Sequence, residues 1–259
     1  MTSNHQNKES RWFGNRAVDP EEKTGLVRGV FDSVADNYDL MNDLMSLGIH
    51  RPWKDSFVRM IRPRPGLNYL DVAGGTGDIA FRIYKKLQQF PETAKPSQIT
   101  LLDLNPNMLS VGRDRAMDKG LGTSFDWVCG NAEYLPLEDN SQDVYTIAFG
   151  LRNVTHIDTA LSEAFRVLKP GGRFFCLEFS KVQIPVMDRI YDVYSDNVIP
   201  LLGEKVAGDR DSYQYLVESI RQFPSQEQLK RRVEAVGFKT CSVKNLSFGI
   251  AAIHSAVKA

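Results

Sequence analysis

Asp71-Val72-Ala73-Gly74-Gly75-Thr76-Gly77-Asp78 follows the apolar run Leu67-Asn68-Tyr69-Leu70 and precedes Ile79-Ala80-Phe81, where a helical pattern opens. A strand that ends in a carboxylate, turns through three glycines and enters a helix makes a nucleotide-type cradle. A side chain in the turn would block the ligand, and the turn itself calls for positive φ. The first helical N–H groups then face the ligand. Gly75-x-Gly77-x-x-Ala80 also fits the loose dinucleotide pattern. Charge separates the two ligand classes, since Asp71 and Asp78 flank the turn with no Lys or Arg between them. Unit charges ~4 Å apart interact by roughly 4 kcal/mol at an effective dielectric of ~20. A pyrophosphate is repelled on that scale, whereas a sulfonium and an ammonium, as in S-adenosylmethionine, suit acidic surroundings. The loop favours the methyl donor, with a nicotinamide dinucleotide as the alternative and a ligand-free glycine turn as the plain structural reading.

Outward from this loop, strand candidates alternate with helical patterns. Leu67–Val72, Ile99–Leu102, Phe125–Cys129, Val144–Phe149 and Phe174–Leu177 read as strands; Ile79–Gln89, Pro106–Asp118 and Ile157–Leu168 read as helices. Repeated strand–helix–strand units imply a mostly parallel sheet covered on both faces. Gln88 to Gln98, with Pro91 and Pro96, reads as a surface insertion. Lys169-Pro170-Gly171-Gly172 reads as a helix stop and a turn into the fifth strand. Ser225-x-x-Gln228 is a capping box for a helix to about Ala235, and Lys239–Leu246 with Ile250–Val257 reads as a closing antiparallel hairpin.

The ends of the chain are organised differently. Residues 1–25 read as a loosely held segment, and 26–259 as one domain. Steps of three and four in Val27, Val30, Phe31, Val34, Tyr38, Met41 and Met45 predict an amphipathic helix from Leu26 to Met45, the start of a helical lid over 26–62. It reads equally as a core-packed helix or as a mobile cover whose Tyr38 and methionines touch substrate. Pro185–Leu202, within a helical insertion over 185–222, is apolar on more than one side and wants a second surface: the core, a second copy of the chain, or a lipophilic ligand.

With 259 residues, 42% of them apolar, the chain can bury one α/β core without staples. Thirty-two basic residues balance thirty-two acidic ones, which argues against a nucleic-acid partner. Cys129, Cys176 and Cys241 read as buried thiols, and the four histidines lack metal-ligand spacing, so no metal is expected. No apolar run approaches the roughly 18 residues that a membrane span requires.

Ligands of such sheets sit beyond the carboxyl ends of the strands. Asp103 closes the second strand, where a carboxylate can accept both hydroxyls of a ribose. Asn131, after Gly130, offers an amide to an adenine edge, though Gly-Asn is also a common turn. Arg152, just past the fourth strand, reads as facing the donor end of the cleft. It stays protonated and suits the stabilisation of a developing oxyanion better than proton abstraction; an ordinary salt bridge is the alternative.

Longer stretches carry a resemblance. They include Phe31-Asp32-Ser33-Val34-Ala35, Met41-Asn42-Asp43, Ser46-Leu47-Gly48-Ile49-His50-Arg51, the glycine loop, Phe149 to Asp158, Arg166 to Gly172, Leu177 to Ser180 and Tyr215 to Arg221. Over roughly Leu26 to Lys258 the chain closely resembles the ubiquinone/menaquinone biosynthesis C-methyltransferase family. That resemblance implies a class I, Rossmann-like S-adenosylmethionine-dependent methyltransferase: a seven-stranded, mostly parallel α/β sheet with an antiparallel C-terminal hairpin and an N-terminal helical lid. It implies donor positions at Thr76 with Gly74, Gly75 and Gly77, at Asp103, and at Asn131 with Ala132; Asp71 and Leu104 complete the expected donor set. Arg152 and Asn153 match the pair beside the acceptor ring, with a water held by Arg152, or His156, as candidate proton acceptor. Some relatives carry Ser where this chain has Ala148, so that contact is not carried over.

Thr155-His156-Ile157-Asp158 and the 88–98 insertion look like the mitochondrial ubiquinone branch, which methylates carbon 5 of 2-methoxy-6-polyprenyl-1,4-benzoquinol. Further implications are peripheral membrane contact at the matrix face of the mitochondrial inner membrane and other ubiquinone-biosynthesis proteins as partners in a complex; a homodimer through Pro185–Leu202 is the expectation if that apolar stretch meets a second copy. The alternatives are demethylmenaquinol as acceptor, a nicotinamide-dependent oxidoreductase, and a non-catalytic scaffold of a quinone-synthesis assembly.

Overall fold

The computed structural model describes residues 12–34, 43, 48–182 and 210–259. The second half of the expected lid helix, with Tyr38, Met41 and Met45, and all of Pro185–Leu202 lie outside the described residues, as does the dimer surface expected there.

The first ordered pieces are β1 (Trp12–Phe13), β2 (Arg16–Ala17), α1 (Pro20–Val34) and α2 (His50–Ile61). Then come β3 (Asn68–Val72), α3 (Asp78–Leu87), β4 (Gln98–Asp103), α4 (Pro106–Asp118), β5 (Asp126–Cys129) and β6 (Gln142–Ala148). A 3₁₀ turn at Leu151–Asn153 leads to α5 (Ile157–Val167) and β7 (Leu168–Phe179). The chain closes with α6 (Arg210–Gln222), α7 (Gln226–Ala235), β8 (Lys239–Leu246) and β9 (Ala251–Val257).

Seven strands form one sheet in the order β5-β4-β3-β6-β7-β9-β8. All neighbours are parallel except β9, which runs antiparallel to both β7 and β8. The expected hairpin is present, but its second strand inserts beside β7 and leaves β8 at the edge. Order reverses between β3 and β6, and this places the ligand crevice at their carboxyl ends.

Strand residues are apolar on both sides because helices cover both faces. Tyr69, Val144 and Phe175 join one core with Phe57, Ile61 and Leu216, whereas Leu70, Tyr145 and Phe174 join the other with Leu161, Leu229 and Phe238. α2 therefore belongs to the core: Phe57 and Ile61 are fully buried, so the cover expected over 26–62 is confined to α1 among the described residues.

Three further differences have local causes. Within the segment read as loose, Trp12–Ala17 form a hairpin and α1 starts at Pro20; Phe13 stacks on Tyr215 at 4.2 Å, and Asn15 N donates to Glu218 Oε2. Two aromatic faces and a carboxylate on α6 hold this short hairpin, a long-range contact that local composition does not show. Second, β7 starts at Leu168, directly after the helix. Leu168 pairs with Gln142 and Arg173 with Val144, so Lys169–Gly172 bulge out of a continuing strand, with Gly171 at φ 78°. Third, Cys129 is exposed at the end of β5, because that strand is the sheet edge; Cys176 and Cys241 are buried as expected.

Candidate active site

The glycine turn takes the conformation its composition calls for. Gly75 and Gly77 sit at φ 51° and 86°, and Gly77 N donates to Gly74 O as α3 begins. A Cβ on Gly75 would lie 3.1 Å from Met108 Cε, and one on Gly74 would lie 3.0 Å from Asp71 O. Across the order reversal Gly150 comes so close to Ala73 that a side chain there would overlap the Ala73 methyl. Ala73 and Phe149, the residues just past β3 and β6, are themselves left-handed at φ 51° and 56°. Non-glycine residues take that region at a cost of about 1–3 kcal/mol each, and such strain gathers at ligand sites.

A cavity of about 800 Å³ opens at these strand ends. Gly75, Asp103, Leu104, Asn131, Ala132 and Asn153 are on its wall, as expected from the sequence. Asp103 projects from the end of β4, where Gly75 N donates to its Oδ2 and Asn105 N to its Oδ1, each at 2.8 Å. Burial pushes its carboxyl up to about 6, and the backbone donors from Asn105, Gly75 and Leu104 oppose that rise.

Asp71, Gly74, Thr76 and Gly77 are not on the wall. Asp71 is buried under the turn, accepts from Thr146 Oγ1 at 2.7 Å, and is pushed by burial to about 7. Thr76 Oγ1 instead accepts from Arg115 Nη1 at 3.1 Å. These residues shape the cradle from behind. Asp78 is neutralised by Lys54 at 2.7 Å and Arg82 at 2.8 Å. With Asp78 paired and Asp71 half-neutral near pH 7, the repulsion of a pyrophosphate expected from the two is largely absent. Partners from α2 and α3, distant from the loop in sequence or pointing back to it, supply the missing cations.

α1 roofs the cavity with Thr24, Val27, Arg28 and Phe31. Asp32 Oδ1 accepts from Asn105 Nδ2 and Asn107 Nδ2, both at 2.8 Å, and Thr24 Oγ1 meets Thr155 Oγ1 at 3.3 Å. Asn105 also caps α4 by accepting from Asn107 N and Met108 N. Its capping role is readable in Asn105-Pro106; its grip on α1 has no local signal.

Arg152 departs from expectation. It does not line the donor-side cavity but a second one of about 960 Å³ on the other side of the turn, where Trp12, Lys23, His156 and Tyr215 also lie. The reason is the tight pitch of the 3₁₀ turn, at about three residues per turn, which sends neighbouring side chains to different sides. Arg152 is 2% exposed and pairs with Glu178, 1% exposed, at 2.7 Å, while also donating to Phe149 O at 2.6 Å. Asn153 stays on the first cavity. Its Oδ1 accepts from Tyr215 Oη at 3.1 Å, and its Nδ2 is sealed from solvent with no hydrogen-bond partner among the described residues. His156 is held by Glu133, Nδ1 to Oε2 at 2.6 Å, and Glu133 Oε1 accepts from the N–H groups of Thr155 and His156. Glu133, Glu178 and Tyr215 carried no local signal for these roles; Tyr215 stood only within the Tyr215–Arg221 stretch.

The model of the ubiE/COQ5 methyltransferase family matches residues 17–258. The chain belongs to this family. It is 56% identical over 248 residues to a ubiquinone/menaquinone biosynthesis C-methyltransferase of Brucella abortus, covering 95% of this chain and 90% of that one. A protein of the same name from Brucella anthropi is 55% identical, over 95% and 92% of the two chains. Among solved structures, an S-adenosylmethionine-dependent methyltransferase from Aquifex aeolicus shares the fold with TM-score 0.58 at 16% identity, over 80% of this chain and 89% of that one. Another from Thermotoga maritima gives TM-score 0.61 at 18% identity, over 90% and 100%. The architecture is the class I S-adenosylmethionine-dependent methyltransferase fold expected of the ubiE/COQ5 family, and the protein is an S-adenosylmethionine-dependent C-methyltransferase; the nicotinamide-dependent reading falls. These relatives are bacterial, so they give no support to a mitochondrial placement. No helix among the described residues is long and apolar enough to cross a membrane.

The residues fit the donor: a carboxylate at the end of β4, a side-chain-free cradle at Gly75, and amide groups around Asn131 and Ala132.

Proposed function

We propose that this enzyme methylates carbon 5 of a polyprenyl benzoquinol, 2-methoxy-6-polyprenyl-1,4-benzoquinol, in ubiquinone formation. The observation that carries the reading is Asn153 on the wall of the donor cavity, its carboxamide oxygen held by Tyr215 and Arg152 next to it in the turn. A carboxamide whose oxygen is held by the protein has only its N–H groups to offer, and a quinol oxygen is the matching acceptor once the buried group turns toward the cavity.

Asp103 would hold the donor's ribose hydroxyls, Asn131 and Ala132 its adenine edge, and Gly75 would give its chain room to approach. When bound, S-adenosylmethionine supplies an electrophilic methyl group on a sulfonium. The protein's own task is to make the ring carbon nucleophilic. Loss of a hydroxyl proton spreads charge onto the carbons ortho and para to that oxygen; Asn153 stabilises the oxygen from the donor-cavity wall, and the Arg152 charge acts on it through the turn from the adjoining cavity. The methylated ring then sheds its C–H proton and the oxygen regains one, for one proton released in all. α1, clamped by Asp32, keeps water from the reacting carbon.

The names of the Brucella relatives cover both quinones, which supports demethylmenaquinol as a second acceptor. A quinol held in a bilayer would be met by peripheral attachment, and a homodimer or contacts with other quinone-synthesis proteins belong to the same reading. The test is turnover of a short-tail benzoquinol and of short-tail demethylmenaquinol with methyl-labelled donor. Label in the benzoquinol ring supports the proposal; label in demethylmenaquinol alone moves the acceptor class; no label in either leaves the scaffold reading.

A further inference from the structure

Glu178 stands at the carboxyl end of β7, its side chain 1% exposed, and its carboxylate bonds to the 151–153 turn and to Phe179 rather than to a neighbouring strand. Its Oε1 accepts from Arg152 Nη1 at 2.7 Å and from Phe179 N at 2.9 Å; its Oε2 accepts from Arg152 N at 3.3 Å. The carboxylate thus grips Arg152 by both main chain and side chain. Phe179 closes the far side, its ring centre 5.5 Å from the guanidinium carbon. Burial pushes the Glu178 carboxyl up, and the Arg152 charge is the largest influence opposing that rise.

A buried guanidinium next to a buried carboxylate presents almost no net charge. A lone Arg152 would act as a full cation on an acceptor hydroxyl, in a setting where charges are poorly screened. We propose that Glu178 is a positioning residue for the methyl transfer: it aims Arg152 and offsets its charge, and so sets the pH at which the acceptor hydroxyl ionises. This rests on the quinol reading above.

The other ionisable groups near the pair are few. Tyr215 on α6 feels both Arg152 and Glu178, and burial holds its hydroxyl well above the usual range. Cys176, on the same strand as Glu178, is likewise held up by burial. Across β9 the partner of Glu178 is Ala252, which carries no charge. Lys23 and His156 reach the second cavity beside Arg152, and Arg232 with Asp158 lies further along its wall.

The experiment compares wild type, Glu178→Gln and Glu178→Asp by kcat against pH with a saturating short-tail benzoquinol, and by donor Kd. Glu178→Gln keeps an acceptor oxygen for Arg152 but removes the negative charge. It should move the acid limb of the kcat profile down by about one pH unit, since an unopposed cation favours the phenolate, and lower the plateau about tenfold, since a less basic phenolate attacks more weakly. Donor Kd should stay within twofold. Glu178→Asp should return the limb to its wild-type position, even with a reduced plateau. A limb that stays put in Glu178→Gln, or a matching loss of donor affinity, overturns the proposal. Should Glu178→Gln not fold, Glu178→Asp decides alone, and a limb displaced in that charge-preserving variant overturns it. Absence of turnover in wild type defeats the quinol reading itself, and this inference with it; turnover in wild type with an unmoved limb defeats only the role of Glu178.

Discussion

Tyr215 Oη donates to Asn153 Oδ1 at 3.1 Å and thereby joins α6 to the turn between the two cavities. The bond holds the carboxamide oxygen on the protein and leaves the amide nitrogen, buried beside the donor cavity, as the group's remaining donor. Tyr215→Phe keeps the stacking on Phe13 but frees the Asn153 amide. Stability should fall by about 1 kcal/mol, read by denaturant unfolding. Turnover should fall about tenfold with donor Kd within twofold; an equal loss of donor affinity would show that Tyr215 does not act through the acceptor side.

Asp103 should carry most of the donor's ribose recognition. Hydrogen bonds to a charged group are worth about 1.5–3 kcal/mol each, so Asp103→Ala should raise donor Kd roughly a hundredfold by calorimetry. The carboxyl titrates at about 6 in the donor-free protein, and ribose hydroxyls favour its ionised form. Affinity should therefore be full above pH 6 and decline as pH falls below it, with a proton released on binding. In Asp103→Asn that pH dependence should vanish.

Asp71 makes the opposite kind of prediction, one about stability. Burial raises its carboxyl from 3.8 to about 7, so the folded state binds a proton that the unfolded chain has lost. Its contribution is most favourable below pH 4 and is lost as pH rises to 7, on the scale of a few kcal/mol. Asp71→Asn keeps an acceptor for Thr146 and should flatten that decline. A melting temperature for the donor-free variant no higher than wild type at pH 8 would contradict the assignment.

Gly75→Ala tests the cradle. A side chain at φ 51° costs about 1–2 kcal/mol, and its Cβ would press on Met108 where the donor has to approach. Donor Kd should rise at least tenfold, more than the fall in melting temperature accounts for. Binding as tight as wild type would place the donor elsewhere.

Asp32→Ala releases the roof. Its two amide partners are Asn105, which caps α4, and Asn107 in the first turn of α4, and the Asp32 side chain is exposed, so stability should change by less than about 1 kcal/mol. Hydrogen exchange in α1 and the donor release rate should both increase several-fold. Neither moving would mean that α1 is held by its apolar face alone.

The order of strands and helices was legible because period and punctuation are local properties. Gly75 and Gly77, Asn105-Pro106 and Ser225 with Gln228 each state their own conformation. Asp103, Leu104, Asn131 and Ala132 were legible as cavity wall because strand ends converge in this fold. The electrostatics were not. Lys54 neutralises Asp78 from 24 residues away, and Glu178 reaches Arg152 across 26, pairings that exist only once the sheet has formed. The facing of Arg152 was missed for a geometric reason: strand alternation does not continue into a 3₁₀ turn.

That three-residue turn also constrains how such an enzyme can change. Arg152 and Asn153 border different chambers from one short backbone segment, so inserting or deleting a residue there would move both at once. Divergence in ring preference has to come from the surrounding helices, whose side chains can be exchanged singly while the shared partition stays as it is.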